Sequence, residues 1–297
     1  MKFWQMLVWS ETDQYTEIAK SAEENDFFGV MNADHAFFPK TMQSNYPYSE
    51  DGSAPMGDDR DYPDPWVTLA HMAAVTNKLR LSTAVYILPL RNPIEVAKAT
   101  GTLAILSNNR FMLGAGIGWM QEEYEGYGLD FKLRGKRYDE CLDVIELLWS
   151  GQWSKYQGQY IQFKELRILP APEKRIPILM GGSSDAALKR MAKRADGFIG
   201  VGNHPDEIPD LLNKLNIYRK NAGRLNQPFE TILGLTVEHN LDTLKRLYDI
   251  GVTSTVNPPF AFSIGWESTI QQKIDQMKRY AEEIIRPMHE YAKGNNN

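Results

Sequence analysis

The sequence contains a single cysteine and no long apolar run. Cys141 cannot form an intramolecular disulfide, and a metal site built from several cysteines is excluded. No stretch approaches the roughly 18 consecutive apolar residues of a membrane span. The short apolar start, MKFWQMLVW, ends at Ser10 without a signal-peptide cleavage pattern. We therefore expect a cytoplasmic protein that has no membrane partner.

An excess of positive charge is also missing. The 297 residues include 33 Lys and Arg against 38 Asp and Glu, for a formal net charge of -5. With no global cationic field to hold a phosphate backbone, nucleic acid is not expected as a partner. The sequence lacks GxxxxGK[ST], HExxH, GxSxG and any Cys/His cluster, which argues against P-loop nucleotide triphosphatases, zinc proteases and serine hydrolases. No bound metal is expected.

Short β-branched or aromatic runs alternate with amphipathic stretches along the whole chain, which is typical of parallel βα units. Eight such units predict a (β/α)₈ TIM barrel, although a doubly wound open sheet also alternates strands and helices. Cys141 falls on a helical apolar stripe, so we expect it in the core rather than as a redox nucleophile. The predicted strands are Phe3–Trp9, Phe27–Asn32, Leu79–Leu88, Arg110–Gly116, Ile176–Met180, Gly197–Val201, Thr231–Thr236 and Val252–Val256.

Two irregular segments interrupt this alternation. Ala36–Asp64, after the second strand, is rich in Pro, Gly, Asp, Ser and Tyr, and Gly118–Lys136 follows the fourth strand. Connections of this length without periodicity are usually functional loops, so we interpret them as insertions at the barrel mouth. Within the first, Phe37–Pro63 is predicted to be a mobile lid. With no linker visible, residues 1–297 are expected to form one domain.

The active site of a (β/α)₈ barrel is built from segments that follow the carboxyl ends of its strands. Asp34 and His35 follow the second predicted strand. A carboxylate beside an imidazole can orient it for proton transfer near neutral pH. A hydrogen-bonded structural histidine is the alternative, and the residues alone leave both open.

Small residues follow the fifth and fourth predicted strands. Gly181, Gly182, Ser183 and Ser184 open a helix, where backbone N–H groups can bind a phosphate, although an ordinary N-capped turn has the same composition. The fourth strand continues as GAGIGW, residues 114–119, in which Trp119 stands where GxGxxG requires glycine. Those glycines would let a planar ligand lie against the backbone, or would make a tight packing turn.

The third strand ends in an apolar stretch followed by a cation. Thr83, Ala84 and Val85 precede Leu88–Leu90, and Arg91 comes next. Arg91 could pair with an acidic substrate or cofactor tail, or could lie at a helix start with no further role.

Several motifs, in one order, resemble the luciferase-like monooxygenase superfamily. They are the Asp-His pair, the run LPLRNPIEVAKATGTLAILSNNRFMLGAGIGWMQEEYEGYG, RGKRYDE, and PILMGGSSDAALKRMAKRADGF. The YPY sequence at residues 46–48, after the second strand, and the GxGxGW motif bring the chain nearest to the subgroup described as dependent on coenzyme F420. The region after Asn203 shares only the strand and helix pattern.

The resemblance implies a flavin or deazaflavin, either F420 or FMN, at the barrel mouth. It implies that His35 acts near the reactive ring carbon, with Asp34 orienting it, and that Tyr46, Tyr48 and Arg91 belong to the substrate pocket or lid. Trp119 stands where some F420 enzymes have an acid. The implied cofactor-binding residues are Thr83, Ala84 and Val85, with a non-prolyl cis peptide against the ring, then Gly116, Gly118 and Trp119, and the phosphate turn Gly181, Gly182, Ser183 and Ser184.

The function implied by these features is hydride transfer between F420 and a small organic substrate. One alternative is an FMN-dependent monooxygenase that uses oxygen and reduced flavin, and another is a barrel that binds a ligand without catalysis. A separate flavin or F420 reductase is a further expected partner. The resemblance also implies a homodimer.

Overall fold

The computed structural model describes residues 1–49, 51–55 and 60–294. Its strands, in chain order, are β1 Lys2–Met6, β2 Gly29–Asn32, β3 Arg80–Thr83, β4 Tyr86–Ile87, β5 Phe111–Gly116, β6 Ser154–Gln157, β7 Gln162–Leu166, β8 Ile178–Gly181, β9 Gly197–Asn203, β10 Glu230–Leu235 and β11 Ser254–Asn257. Its helices are α1 Tyr15–Glu24, α2 Pro65–Val75, α3 Pro93–Leu106, α4 Gln121–Gly126, α5 Arg134–Trp149, α6 Asp185–Arg194, α7 Ile208–Asn221, α8 Leu241–Asp249, α9 Phe260–Ser263, α10 Ile270–Tyr280 and α11 Arg286–Gly294. Short 3₁₀ turns occupy Thr12–Gln14, Leu88–Leu90 and Phe131–Leu133, and a π-helical turn at Ala281–Ile285 joins α10 to α11.

Eight parallel strands close into a barrel. They pair in the order β3-β2-β1-β11-β10-β9-β8-β5, and β5 returns to β3, where Leu81 pairs with Phe111. The predicted (β/α)₈ barrel is therefore confirmed. Strands β6 and β7 form a separate antiparallel hairpin between α5 and β8.

The barrel strands are buried on both faces, as expected for a parallel sheet covered by helices. One side of each strand fills the barrel interior, and the other packs against the helices, as Met31 and Val30 on β2 illustrate. Gly29 leaves room for the interior ring of Trp4, since a Cβ there would lie 2.4 Å from the indole. The barrel interior is lined by Trp4, Met6, Met31, Leu179, Ile199, Ile232 and Val256.

Cys141 is fully buried on α5 within the layer between barrel and helices, as predicted. The predicted third strand, Leu79–Leu88, is in fact two strands, because the chain turns at Ala84 and Val85 between β3 and β4. The other seven predicted strands agree with the barrel strands to within three residues at each end.

Long connections leave β2 and β5 at the carboxyl end of the barrel. Of the connection between β2 and α2, residues 50 and 56–59 of the predicted lid lie outside the described residues, and the described remainder has no regular element. The connection after β5 carries α4 and the turn Phe131–Leu133 before α5 begins. None of the helices in the described ranges is long and apolar enough to cross a membrane.

Candidate active site

A cavity of about 1630 Å³ lies at the carboxyl end of the barrel strands. This volume exceeds the roughly 300 to 1,000 Å³ of a typical small-molecule pocket, so a cofactor and a substrate can share it. Most of the residues singled out in the sequence contribute to its wall. These are Asp34, His35, Tyr46, Tyr48, Ala84, Val85, Gly116, Gly118, Trp119, Gly181, Gly182, Ser183 and Ser184.

One part of the wall is formed by Val85 between two glycines. The Ala84–Val85 peptide is cis, at the position that the resemblance implied. A Cβ on Gly116 would lie 2.6 Å from Val85 Cγ2, and a Cβ on Gly181 would lie 3.0 Å from Val85 Cγ1. Glycine at both positions therefore leaves room for the apolar side chain of Val85 at the ends of β5 and β8.

Thr83 lies behind this wall and is not among the residues that line the cavity. It is fully buried, and its hydroxyl donates to the carbonyl oxygen of Gly114 at 2.6 Å. The contact ties the end of β3 to β5. The expected cofactor contact of Thr83 is thus replaced by support of the neighbouring Ala84–Val85 segment.

The turn after β8 opens directly into α6. Gly182 has φ +107°, a left-handed conformation that strains any residue with a side chain. Ser184 caps the helix, its hydroxyl accepting from the N–H of Ala187 at 3.2 Å. Ser183 is exposed and lines the cavity together with the start of the helix. The turn presents hydroxyl and N–H donors at the positive end of a helix dipole, an arrangement suited to an anion.

A cation lines the same cavity at the start of α5. The guanidinium of Arg134 lies 3.7 Å from the ring centroid of Phe131 and donates to the Phe131 carbonyl oxygen at 2.8 Å. Its Nε is buried and has no hydrogen-bond partner among the described residues. Arg190 of α6 donates to the carbonyl oxygen of Gly135, so the start of α5 lies against α6. A buried donor without a partner is costly, and an anionic ligand would satisfy it.

The imidazole of His35 lies next to a buried carboxylate, that of Glu123. Its Nδ1 is 3.3 Å from Glu123 Oε2, and the Glu123 side chain is fully buried on α4. The other oxygen, Oε1, accepts from the backbone N–H of Ala36 at 2.6 Å. Glu123 therefore contacts both the ring and the backbone of the segment that follows β2.

Asp34 does not occupy the orienting position beside the His35 ring that the sequence suggested. Its Oδ1 accepts from Arg91 Nη2, and its Oδ2 accepts from the backbone N–H of Ile87, both at 2.9 Å. Burial raises the pKa of Asp34 to about 6, against the opposing effect of the Arg91 guanidinium. Arg91 also packs against the rings of Tyr86 and Tyr127 and does not line the cavity. The pair fixes the chain beyond Val85, and of the two residues only Asp34 reaches the cavity wall.

Aromatic rings surround His35. Its ring makes edge contacts with Tyr62 and Trp119, at centroid distances of 5.2 and 5.8 Å. The indole N–H of Trp9 donates to Tyr62 Oη at 2.7 Å, and Trp9 has φ 63°, which is unusual for a bulky residue. Tyr46 lies 5.2 Å from Trp119, and burial raises its pKa to about 12. The part of the cavity wall around His35 is therefore built mainly of aromatic rings.

The sequence did not point to Trp9, Glu123 or Arg134, whereas Tyr62 lies in the segment predicted to be a lid. Trp9 is the last residue of the first predicted strand, and its position at a strand end was the one available signal. Glu123 and Arg134 lie inside the motifs GWMQEEYEG and RGKRYDE, where neighbouring residues of the same type gave no way to choose between them.

Comparison with known proteins agrees with this geometry. The sequence pattern of the luciferase-like monooxygenase family matches residues 5–242. An uncharacterised protein of Mycobacterium tuberculosis is 36% identical over 274 residues, which cover 91% of this chain and 94% of the relative.

Two solved structures share the fold at low sequence identity. A monooxygenase of Streptomyces bottropensis matches with a TM-score of 0.78 and 17% identity, over 97% of this chain and 100% of its own. The coenzyme F420-dependent tetrahydromethanopterin reductase of Methanopyrus kandleri matches with a TM-score of 0.74 and 16% identity, over 96% and 98% of the two chains. The family match covers most of the sequence, and the chain therefore belongs to the luciferase-like monooxygenases, a family of flavin- or F420-dependent oxidoreductases and monooxygenases.

Proposed function

We propose that this protein transfers hydride between coenzyme F420 and a small organic substrate, with His35 donating or accepting the accompanying proton. The observation that carries the proposal is one large cavity whose wall holds two sets of residues with different chemistry. One set comprises the Ala84–Val85 segment and Arg134, whose Nε has no hydrogen-bond partner among the described residues, and the other comprises the His35 imidazole and its aromatic neighbours.

The first set of lining residues fits the ring and the phosphate of a deazaflavin. Val85, held between Gly116 and Gly181, would support the planar ring, and Ser183, Ser184 and Arg134 would hold the phosphate. The bound cofactor supplies hydride chemistry, which no protein side chain provides. The protein residues bind it, orient it and limit the access of water.

The second set of lining residues determines how His35 can transfer a proton. The ring is almost enclosed, with its side chain 11% exposed, and the neighbouring Tyr62 and Trp119 restrict its rotation. A proton moved at an imidazole held in this way would go to or come from a substrate group within hydrogen-bond reach.

Binding of the cofactor tests this proposal. Purified protein is titrated separately with F420 and with FMN, and the absorbance and fluorescence of each chromophore are followed. We expect F420 to bind one molecule per chain and more tightly than FMN. Tighter FMN binding would favour the FMN-dependent monooxygenase instead, and binding of neither would contradict both and favour a barrel without this chemistry. The cytoplasmic location, the homodimer and a partner reductase stay predictions.

A further inference from the structure

Two buried polar atoms from different elements face each other beside the cavity. His35 Nδ1 and Glu123 Oε2 are 3.3 Å apart. Neither has a hydrogen-bond partner in the described part of the chain. Their separation is that of an ion pair, and the orientation of the ring does not meet hydrogen-bond geometry. Because unsatisfied buried donors and acceptors are rare and costly, a small rotation that joins the two atoms in a hydrogen bond is favoured.

The carboxylate is itself fixed in place. Glu123 lies in the first turn of α4, is 0% exposed, and uses Oε1 to accept the N–H of Ala36 at 2.6 Å. The other nearby carboxylate, Asp34, is occupied by Arg91 and the N–H of Ile87. Among the described residues, Glu123 is therefore the acid placed to act on the His35 ring.

We propose that Glu123 is the positioning residue of His35. A hydrogen bond from Nδ1–H to Glu123 Oε2 holds the neutral imidazole in the Nδ1-protonated tautomer. The other ring nitrogen, Nε2, then carries the lone pair, and within the cavity that His35 lines it would accept a proton from the bound substrate or return it when protonated. Which nitrogen carries the proton is set by the partner of the other one. The catalytic part of this inference rests on the proposed function, whereas the tautomer does not.

Replacing Glu123 by glutamine gives a sharp prediction about the tautomer. The amide oxygen must remain on the N–H of Ala36, because the amide NH₂ cannot accept that hydrogen bond. The NH₂ group then faces His35 Nδ1 and donates to it. The E123Q variant is therefore expected to move the ring proton from Nδ1 to Nε2, whereas Glu123→Asp keeps an acceptor and retains more of the original tautomer.

The tautomer is measured by NMR on cofactor-free protein labelled with ¹⁵N-histidine, at a pH where the ring is neutral. The H35N variant assigns the His35 signals. Glu125→Gln is the matched control, because Glu125 is exposed on the same helix and, among the contacts described, its side chain bonds only to Gln121. We expect Nδ1–H in wild type and E125Q, and Nε2–H in E123Q. Nε2–H in wild type, or an unchanged tautomer in E123Q, would overturn the proposal.

Turnover per bound cofactor supplies the second measurement. We expect E123Q to lose roughly 10²- to 10⁴-fold in kcat, the range for a general acid or base, with cofactor affinity unchanged and with E123D partly restored. Full activity in E123Q would overturn the positioning role even if the tautomer changed. If the tautomers are as expected and no cofactor binds, the proposed function has failed but the His35–Glu123 pairing has not.

Discussion

The side chain of Arg134 is a cation that lines the cavity without an anionic partner among the described residues. Its guanidinium packs on the ring of Phe131 and donates a hydrogen bond to the Phe131 carbonyl oxygen. Its buried Nε has no hydrogen-bond partner among the described residues. Families of enzymes that bind phosphate use arginine because its planar donors match the oxygens of the anion. The sequence could not distinguish Arg134 from Arg137, whose guanidinium donates to the Pro89 carbonyl oxygen and has a structural role.

Replacing Arg134 by glutamine is expected to weaken binding of the phosphate-bearing cofactor only. A hydrogen bond to a charged group contributes about 1.5 to 3 kcal/mol, so affinity should fall by roughly 10- to 150-fold. Riboflavin, which lacks the phosphate of FMN, should bind wild type and R134Q equally, and the phosphate-free chromophore of F420 should behave in the same way.

Titration followed by fluorescence measures both affinities. Lys136→Gln is the control, because Lys136 is exposed on the same helix and its replacement removes the same positive charge. An equal loss of affinity for the forms with and without phosphate would place Arg134 elsewhere than at the phosphate.

The two carboxylates near His35 show how far residue-level prediction reaches. The sequence indicated that a proton-transfer histidine follows β2, and the structure places His35 in the cavity wall. The neighbour in sequence, Asp34, was expected to orient it, but adjacent residues point in different directions, and Asp34 binds Arg91 instead. Glu123 comes from 88 positions away in the chain, a contact that only the closed barrel creates.

At the scale of elements, the break between β3 and β4 forms part of the cavity wall. The apolar run Leu79–Leu88 has the composition of one continuous strand, and periodicity alone predicts no interruption. Asp34 holds β4 through the N–H of Ile87, and Tyr86 pairs with Ala115 of β5. The interruption therefore depends on contacts with other elements and was visible only through the family resemblance.

The segment after β10 is joined to α10 by the half-buried His239, which also lines the cavity. His239 Nδ1 lies 2.5 Å from Tyr280 Oη, and burial lowers the pKa of His239 from 6.5 to about 4. A histidine whose pKa is lower in the folded state than in the unfolded chain takes up its proton preferentially on unfolding. The protein should therefore lose stability through His239 as the pH falls from about 6.5 towards 4.

Glutamine at position 239 can keep the hydrogen bond to Tyr280 but cannot be protonated. We expect H239Q to lose less stability than wild type between about pH 7 and pH 5, by on the order of 1 kcal/mol. Urea unfolding at the two pH values measures the difference. His204→Gln is the control, because the His204 side chain is 50% exposed and lies outside this contact. A pH dependence identical in wild type and H239Q would contradict the assignment.

At the scale of the whole molecule, closure of the barrel brings residues from distant parts of the chain together in one cavity wall. The wall of the cavity combines residues that follow β1, β2, β5 and β8, together with the Ala84–Val85 segment after β3. The eight-unit alternation predicted this convergence, because all active sites of this fold lie at the carboxyl ends of the strands. Pairings across the mouth, such as Trp9 with Tyr62, depend on the loop conformations and could not be derived from periodicity.

The central claim, that the cavity binds F420 beside His35, is tested most directly by crystallography. The structure is determined from crystals grown with F420 and, separately, from crystals grown with FMN. The account predicts that F420 occupies the cavity with its ring against Val85, its phosphate on Ser183, Ser184 and Arg134, and its reactive face towards His35. A ring bound away from Val85, a phosphate that does not contact the turn at 181–184, or a cavity that stays empty at saturating concentrations of both cofactors would contradict it.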